Sequence, residues 1–192
     1  YFAGMSQRDW VARHRPDLVT RLRVAVQAAR VIGAVHAAGV IHKDINGRNL
    51  LVDPATSAVR LVDFGLATRL RSQQSKYRFA TALEGTLAYI APEQTGRMNR
   101  SIDHRADWYS FGVTLYELFA GRLPREGGDP LELVHFHIAG TAMPLHEVAD
   151  VPAALSAIVA RLMRKAPEER YQSAAGVVAD LTRCLDELED TG

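Results

Sequence analysis

The sequence has little of several features that would place it in a specialised class. Its 192 residues include one cysteine and three lysines, and 23 basic side chains are balanced by 22 acidic ones. A single cysteine excludes a disulfide framework and fits a reducing compartment, so we expect a cytoplasmic protein. The net charge of +1 gives no strong field toward nucleic acid or an anionic membrane, and we predict neither as a partner.

Long apolar runs are also missing. No stretch reaches the roughly 18 apolar residues of a membrane span, and no signal-like segment opens the chain at Tyr1. Because hydrophobic residues make up 47% and charged residues 23%, the composition is that of a globular domain with one core. The chain does not begin with Met, and we expect it to be part of a longer protein.

Hydrophobic spacing predicts a mostly helical domain. Ser6 is placed to cap a short helix, and Pro16-Asp17 opens a long helix that Gly39 ends. A later helix over 108–119 is apolar on nearly every face, so we expect it inside the domain, ending at Gly121. Further helices are predicted over 129–139, 152–164 and 173–188.

Between these helices the apolar pattern is that of short strands. Runs at 40–41, 49–52 and 59–62 are interrupted by a turn cluster at 54–57, which predicts a β-hairpin. Residues 66–100 show no sustained period, and we predict a long, partly mobile segment there. The fold class expected from this pattern is α+β, mainly α.

Two polar clusters flank the predicted hairpin, and they are the best candidates for chemistry. His42-Lys43-Asp44-Ile45-Asn46-Gly47-Arg48-Asn49 precedes it, and Asp63-Phe64-Gly65 follows it. Phosphoryl transfer needs a carboxylate that orients the attacking hydroxyl and oxygen ligands for Mg²⁺ on the nucleotide phosphates. The two clusters supply these groups. Each cluster alone is a weak indication of such a site, because a polar loop with Asx turns would contain the same residue types. Their order on the two sides of a hairpin is much more specific.

Three further features resemble the C-terminal (large) lobe of eukaryotic-type Ser/Thr protein kinases. The block Gly85-Thr86-Leu87-Ala88-Tyr89-Ile90-Ala91-Pro92-Glu93 is similar to the end of their activation segment. Asp107-Trp108-Tyr109-Ser110-Phe111-Gly112 resembles the start of their central buried helix, and Arg170 stands where their late arginine does. The resemblance covers residues 1–192, with a catalytic loop at 42–49 and an activation segment at 63–93.

The resemblance implies the fold of a kinase large lobe, a protein substrate, and ATP and Mg²⁺ as cofactors. Asp44 is expected to be the catalytic base, and Asn49 and Asp63 the ligands of the Mg²⁺ bound with ATP. Thr86 is expected to contact Asp44 through its hydroxyl, which favours Ser/Thr substrates.

Four more residues are expected to support this site, namely His42, Asp107, Glu93 and Arg170. Asp107 should accept hydrogen bonds from backbone N–H groups near His42 and Lys43, because a loop at a lobe surface has few other partners for them. Glu93 and Arg170 should form a buried ion pair, since a buried carboxylate needs a partner that stays charged.

Two positions depart from the kinase pattern. Asn46 stands two residues after the base, where these kinases usually carry a lysine that contacts the γ-phosphate, and Lys43 replaces the usual arginine before it. An amide can hydrogen-bond phosphate but brings no charge to the transition state. Lysine binds phosphate without the bidentate fork of arginine. Asn46 is therefore either a working replacement in catalysis or a sign of lost activity.

Residues 42–46 and 83–124 look most like the kinase domain of large bacterial signalling proteins. In those proteins a Ser/Thr kinase domain precedes an AAA-type ATPase module, a sensor domain and a histidine kinase, so the resemblance implies such attached domains as partners.

No glycine-rich loop, strand lysine or partner glutamate helix of a small lobe is found in the chain. We therefore expect the small lobe to be absent from this chain, and the isolated chain to bind MgATP weakly and to be inactive.

Two other functions compete with an active protein kinase. A pseudokinase-like module would regulate attached domains without turnover, which Asn46 and Lys43 favour slightly and the complete set of base and metal ligands opposes. A small-molecule kinase of the aminoglycoside-phosphotransferase type would share a similar base and metal pair. The Ala91-Pro92-Glu93 block and the helix from Asp107 favour protein substrates instead.

Several remaining features have ordinary explanations. His135 and His137 would point away from each other on a helix, so we predict no metal site there. Cys184 falls beside a leucine stripe and is predicted to be a packing residue. The basic run 69–78 is predicted to be a solvated loop more readily than a docking patch, and Ser72, Ser75 and Thr81 are possible autophosphorylation sites.

Overall fold

A computed structural model describes residues 4–69, 87–98 and 100–190. The strands are β1 (Met5–Ser6), β2 (Val40–Ile41), β3 (Leu50–Val52), β4 (Val59–Leu61) and β5 (Thr68–Arg69). The α-helices are α1 (Gln7–His14), α2 (Leu18–Ala37), α3 (Arg105–Ala120), α4 (Pro130–Ala139), α5 (Leu145–Val148), α6 (Ala153–Leu162) and α7 (Ala174–Asp190). Single turns of 3₁₀ helix occupy Leu87–Tyr89, Pro92–Thr95 and Pro167–Glu169.

Helix α3 forms the centre of the domain. Every residue from Ala106 to Phe119 is buried, and Trp108 and Phe111 are fully enclosed. This confirms the prediction of an internal helix, whose nearly uniform apolar surface leaves no face suited to water.

Helices α1, α2, α5 and α6 pack against α3. Helix α6 lies against it, and α2 contacts both α3 and α7. The approach of α6 depends on Gly112, because a Cβ atom at this position would lie 2.7 Å from the Cβ of Leu162. Across the described residues, no helix combines the length and the hydropathy needed to cross a membrane.

A small antiparallel sheet in the order β1–β3–β4 sets the geometry of the two polar clusters. Leu50 pairs with Leu61, so the next residues, Asn49 and Val62, meet at the open end of the β3–β4 hairpin. The Val62 N–H donates to the Asn49 carbonyl at 2.9 Å. Asp63 follows immediately, and the hairpin therefore brings the two clusters together. A second sheet pairs β2 with β5.

The structure confirms the mainly α, α+β class and most of the predicted elements. Ser6 caps α1 by accepting the Asp9 N–H, and the hairpin turns at the predicted cluster. The short elements β1, β5 and α5 were not predicted. Most of the segment predicted to be partly mobile, residues 70–86, lies outside the described part of the chain, and 87–98 hold two 3₁₀ turns.

Candidate active site

The loop 42–49 is anchored on the first turn of α3. The carboxylate of Asp107, which is fully buried, accepts the backbone N–H of His42 at 2.8 Å and that of Lys43 at 2.7 Å. The geometry predicted for Asp107 is thus confirmed. Lys43 adopts a left-handed backbone with φ of 68°, a conformation that costs free energy outside glycine and that this anchor helps to hold.

Asp44 lies beyond this anchor with both carboxylate oxygens engaged. Oδ1 accepts the side-chain amide of Asn46 and Oδ2 that of Asn49, each at 2.9 Å. Burial raises the pKa of Asp44, and the nearby charge of Asp63 adds to the rise, while the two amide hydrogen bonds oppose it. Asp44 is therefore a fixed carboxylate whose proton affinity exceeds that of a solvated one, which suits a general base.

Both the amide nitrogen and the amide oxygen of the Asn46 side chain form hydrogen bonds within the loop. Its Nδ2 donates to the Asp44 carboxylate and, at 3.2 Å, to the Asp44 carbonyl. Its Oδ1 accepts the N–H groups of Arg48 and Asn49 at 2.9 and 3.2 Å. Only 6% of the residue is exposed. This geometry favours a role in positioning Asp44 over the phosphate contact that a lysine would make.

Asn49 and Asp63 both lie at the open end of the hairpin, and each carries a side-chain oxygen that can bind a cation. The Asn49 amide donates to both the carbonyl and the carboxylate of Asp44, so its Nδ2 faces Asp44 and its Oδ1 is left for another ligand. Asp63 is exposed, has a left-handed backbone with φ of 62°, and accepts only a long 3.3 Å bond from Gly65 among the described residues. One amide oxygen and one open carboxylate suit Mg²⁺, which takes few protein ligands and keeps water and phosphate as the others.

His42 ties the loop to the segment that follows the hairpin. Its Nδ1 accepts the Asp44 N–H at 3.3 Å, so the proton is on Nε2, which donates to the Val62 carbonyl at 3.0 Å. The imidazole also packs edge-to-face on Phe64, with ring centres 4.7 Å apart. His42 thereby contacts both polar clusters, in keeping with the supporting position expected for it.

The predicted ion pair between Glu93 and Arg170 is present and buried. Arg170 Nη1 and Nη2 reach the two carboxylate oxygens of Glu93 at 2.6 and 2.8 Å. The remaining N–H groups of Arg170 donate to the carbonyls of Arg105, Arg164 and Lys165. All five donors of the guanidinium are satisfied, which accounts for the full burial of this charge.

The contacts of three residues near the site, His36, Gln94 and Glu117, were not predicted. His36 Nε2 lies 2.8 Å from the Asp107 carboxylate. Gln94 donates to the Lys43 carbonyl at 3.0 Å and accepts the Ala91 N–H, which joins the Pro92–Thr95 turn to the loop 42–49. Glu117 pairs with Arg8 and Tyr89. Apart from the Gln94–Ala91 bond, each contact joins residues far apart in sequence, and no local pattern signals it.

Some of the remaining predicted residues lie in the described part of the chain and others do not. Thr86, Ser72, Ser75, Thr81 and nearly all of the basic run 69–78 lie outside the described residues. His137 is buried against Tyr109 while His135 is exposed, and the described residues hold no group of His, Cys, Asp and Glu suited to a metal ion. Cys184 is buried, as a packing residue should be.

Known proteins have sequences similar to this one over most of its length. The family model of the protein kinase domain matches residues 12–180. The chain is 34% identical over 187 residues to the serine/threonine-protein kinase PknB of Mycobacterium tuberculosis (strain ATCC 25177 / H37Ra), covering 95% of this chain and 29% of that protein.

Two further relatives are probable serine/threonine-protein kinases. CE0033 of Corynebacterium efficiens is 35% identical over 184 residues, 93% of this chain and 27% of its own length. CA_C1728 of Clostridium acetobutylicum is 33% identical over 159 residues, 82% of this chain and 23% of its own length. The chain thus spans less than a third of each relative. The family match and these identities together show that the chain belongs to the protein kinase domain family.

Proposed function

We propose that this domain transfers the γ-phosphoryl group of ATP to serine and threonine hydroxyls of proteins. The observation that carries the proposal is the position of Asp44, which two amides hold in place and which lies within the electrostatic reach of Asp63. A carboxylate fixed next to a pair of metal-ligating oxygens is the arrangement that phosphoryl transfer requires.

In the proposed reaction Asp44 orients the substrate hydroxyl and accepts its proton. The hydroxyl oxygen forms a bond to the γ-phosphorus, and the bond between that phosphorus and the bridging oxygen of ADP breaks. The raised pKa of Asp44 favours proton acceptance, and the anchored backbone keeps the carboxylate in place throughout.

Asn49 Oδ1 and the Asp63 carboxylate would hold the Mg²⁺ that accompanies ATP. This ion would offset the negative charge of the phosphates. Asn46 acts in this proposal as a positioning residue, because its amide donates to Asp44 and its oxygen caps two N–H groups of the loop. Thr86 is proposed to contact Asp44 from the activation segment.

The wider setting of the domain is also a proposal. The resemblance to large bacterial signalling proteins leads us to propose a cytoplasmic kinase domain that acts in signal transduction, attached to ATPase and sensor histidine kinase domains. The architecture of the natural full-length protein tests this, and a chain without those modules would contradict it.

Phosphoamino acid analysis tests the proposed activity. The natural full-length protein is incubated with MgATP labelled at the γ-phosphate and a protein substrate rich in hydroxyl residues. We expect label on serine or threonine. Label confined to tyrosine, or no transfer with MgATP binding retained, would contradict the proposal, and the second result would favour a regulatory module without turnover.

A further inference from the structure

A groove of about 440 Å³ lies beside the Leu87–Tyr89 turn and contains two arginines. Apolar side chains, among them Leu87, Leu123 and Leu133, form much of its wall. Its charged lining residues within the described part of the chain are Arg8 and Arg125, and no carboxylate lines it there. The groove thus combines an apolar surface with positive charge.

This groove adjoins the catalytic loop. The Arg8 N–H donates to the Gly47 carbonyl at 3.3 Å, three residues from Asp44. A Cβ atom at Gly47 would come within 2.9 Å of Arg8 Cγ, so the glycine is what allows this close approach. A peptide whose hydroxyl lies at Asp44 can therefore reach the groove within a few residues, at about 3.3 Å per extended residue.

The buried carboxylate beside the groove, Glu117, is already paired inside the protein. Glu117 Oε1 accepts Arg8 Nη2 at 2.8 Å, and its Oε2 accepts the Tyr89 hydroxyl at 2.6 Å. Its side chain is 9% exposed. A basic substrate side chain could bind Glu117 only by displacing Arg8, which would exchange one guanidinium for another and leave Arg8 without its partner.

The positive charges, in contrast, remain accessible. The Arg8 side chain is 41% exposed and has N–H groups beyond the one that Glu117 uses. Arg48 is exposed and forms no ion pair with any described residue. Arg125 is 49% exposed and pairs with Glu132 at 3.2 Å, a surface contact that holds it weakly.

The charges of Arg8 and Arg48 both act on the hydroxyl group of Tyr89. Burial and then the Glu117 charge raise the pKa of Tyr89, while the charges of Arg8 and Arg48 oppose that rise. Both guanidiniums therefore act at the turn that borders the groove.

We infer that the groove binds the protein segment flanking the phosphorylated residue and selects acidic side chains there over basic ones. This inference rests on the proposed kinase function and names its substrate class. An aspartate or glutamate can accept two parallel N–H bonds from a guanidinium, and an apolar neighbour in the same segment can cover the leucine wall. Lysine or arginine would meet like charge and, among the described lining residues, no carboxylate.

A peptide library that varies each position around a fixed serine or threonine tests the inference with the natural full-length protein. At one or more flanking positions we expect aspartate or glutamate to give kcat/KM about tenfold above that for lysine or arginine, the effect of one modest charge contact. Arg48→Glu should remove or reverse this preference. The matched control Arg30→Glu changes an exposed arginine of α2 outside the groove and should keep it.

The outcomes distinguish a failure of the inferred substrate preference from a failure of the proposed kinase activity. Transfer without an acidic preference, or with a basic one, overturns the inference and leaves the kinase proposal intact. If no peptide is phosphorylated, the kinase proposal fails, and fluorescence anisotropy with labelled acidic and basic peptides then judges the groove, where equal binding overturns the inference. Should Arg48→Glu not fold, Arg125→Gln and the loss of acidic preference between about 0.05 and 0.5 M salt give the same decision.

Discussion

Single side chains in the loop 42–49 are held by hydrogen bonds that leave Asp44 little freedom. Asp107 fixes the backbone before it, and Asn46 and Asn49 fix its carboxylate. Asn46 differs from the lysine expected in kinases, but the amide fits its surroundings better than an ammonium would, because one end must donate and the other must accept. A lysine has no acceptor with which to cap the N–H groups of Arg48 and Asn49.

We therefore expect Asn46→Lys to lower transfer. The substitution leaves the Arg48 N–H without its acceptor, takes one of two acceptors from the Asn49 N–H and removes an amide donor from Asp44. Each lost contact costs about 1 kcal/mol. A fall in kcat of roughly tenfold or more is expected, with a smaller change in KM for ATP. Steady-state kinetics of the natural protein measure both quantities. Transfer equal to or above that of the wild type would show that Asn46 is only a substitute for lysine.

At the scale of elements, Arg170 connects three parts of the chain. Its guanidinium joins the Pro92–Thr95 turn through Glu93, the start of α3 through the Arg105 carbonyl, and the loop after α6 through the carbonyls of Arg164 and Lys165. Because Glu93 follows the Leu87–Tyr89 turn by four residues, this pair helps to position the surface that a substrate would meet.

Removal of Arg170 should be strongly destabilising. We expect Arg170→Ala to reduce the free energy of unfolding by about 3–5 kcal/mol, most of it from the buried Glu93 charge left without a partner. Arg170→Lys should recover only part of this, since an ammonium offers three donors for five acceptors. Urea unfolding followed by tryptophan fluorescence measures the effect.

The matched control for this prediction is Arg183→Ala. Arg183 pairs with Asp180 on the surface of α7, and its loss should cost under about 1 kcal/mol. Equal costs for the two alanine variants would mean that the buried pair contributes no more than an exposed one.

The elements also show what the sequence could and could not predict. Long helices such as α2 and α3 have enough turns for their apolar spacing to be recognised. Strands β1 and β5 have two residues each and α5 has four, so no period exists to detect, and tertiary packing forms them. At the site, motifs predicted Asp44, Asn49 and Asp107, but not the His36 and Gln94 contacts, which bridge 71 and 51 residues. Such partners meet only after the chain has folded.

At the scale of the whole molecule, a buried polar cluster links α3, α4 and the loop after α6. The Tyr109 hydroxyl donates to His137 Nδ1 at 3.0 Å and accepts from Lys165 Nζ at 3.1 Å. Lys165 also donates to the Phe136 carbonyl at 3.0 Å. Burial, and next the charge of Lys165, lower the pKa of His137 to about 4.

This cluster predicts a loss of stability in mild acid. The pKa of His137 is about 4 in the folded state and 6.5 in the unfolded state, so the unfolded chain binds the extra proton between these values. The contribution of the neutral His137 to the free energy of unfolding is complete above about pH 6.5 and falls as the pH drops toward 4. Between pH 6.5 and 5 this group should cost ~2 kcal/mol.

His137→Gln isolates the effect, because all other titrating groups stay in place. We expect the variant to be less stable at neutral pH but to lose less stability on acidification than the wild type. Urea unfolding at pH 7.5, 6.0 and 5.0 gives the two slopes. Parallel slopes would show that His137 is protonated as easily in the folded protein as in the unfolded one.

The most direct measurement of the proposed function is the rate of phosphoryl transfer by Asp44→Asn in the natural full-length protein. Asparagine keeps the size of the side chain but cannot accept the hydroxyl proton, so we expect kcat to fall on the order of 10²–10⁴-fold while the protein stays folded. Asp186→Asn, at an exposed position of α7, is the matched control and should keep full activity. Transfer by Asp44→Asn within about threefold of the wild type would contradict the assignment of Asp44 as the base.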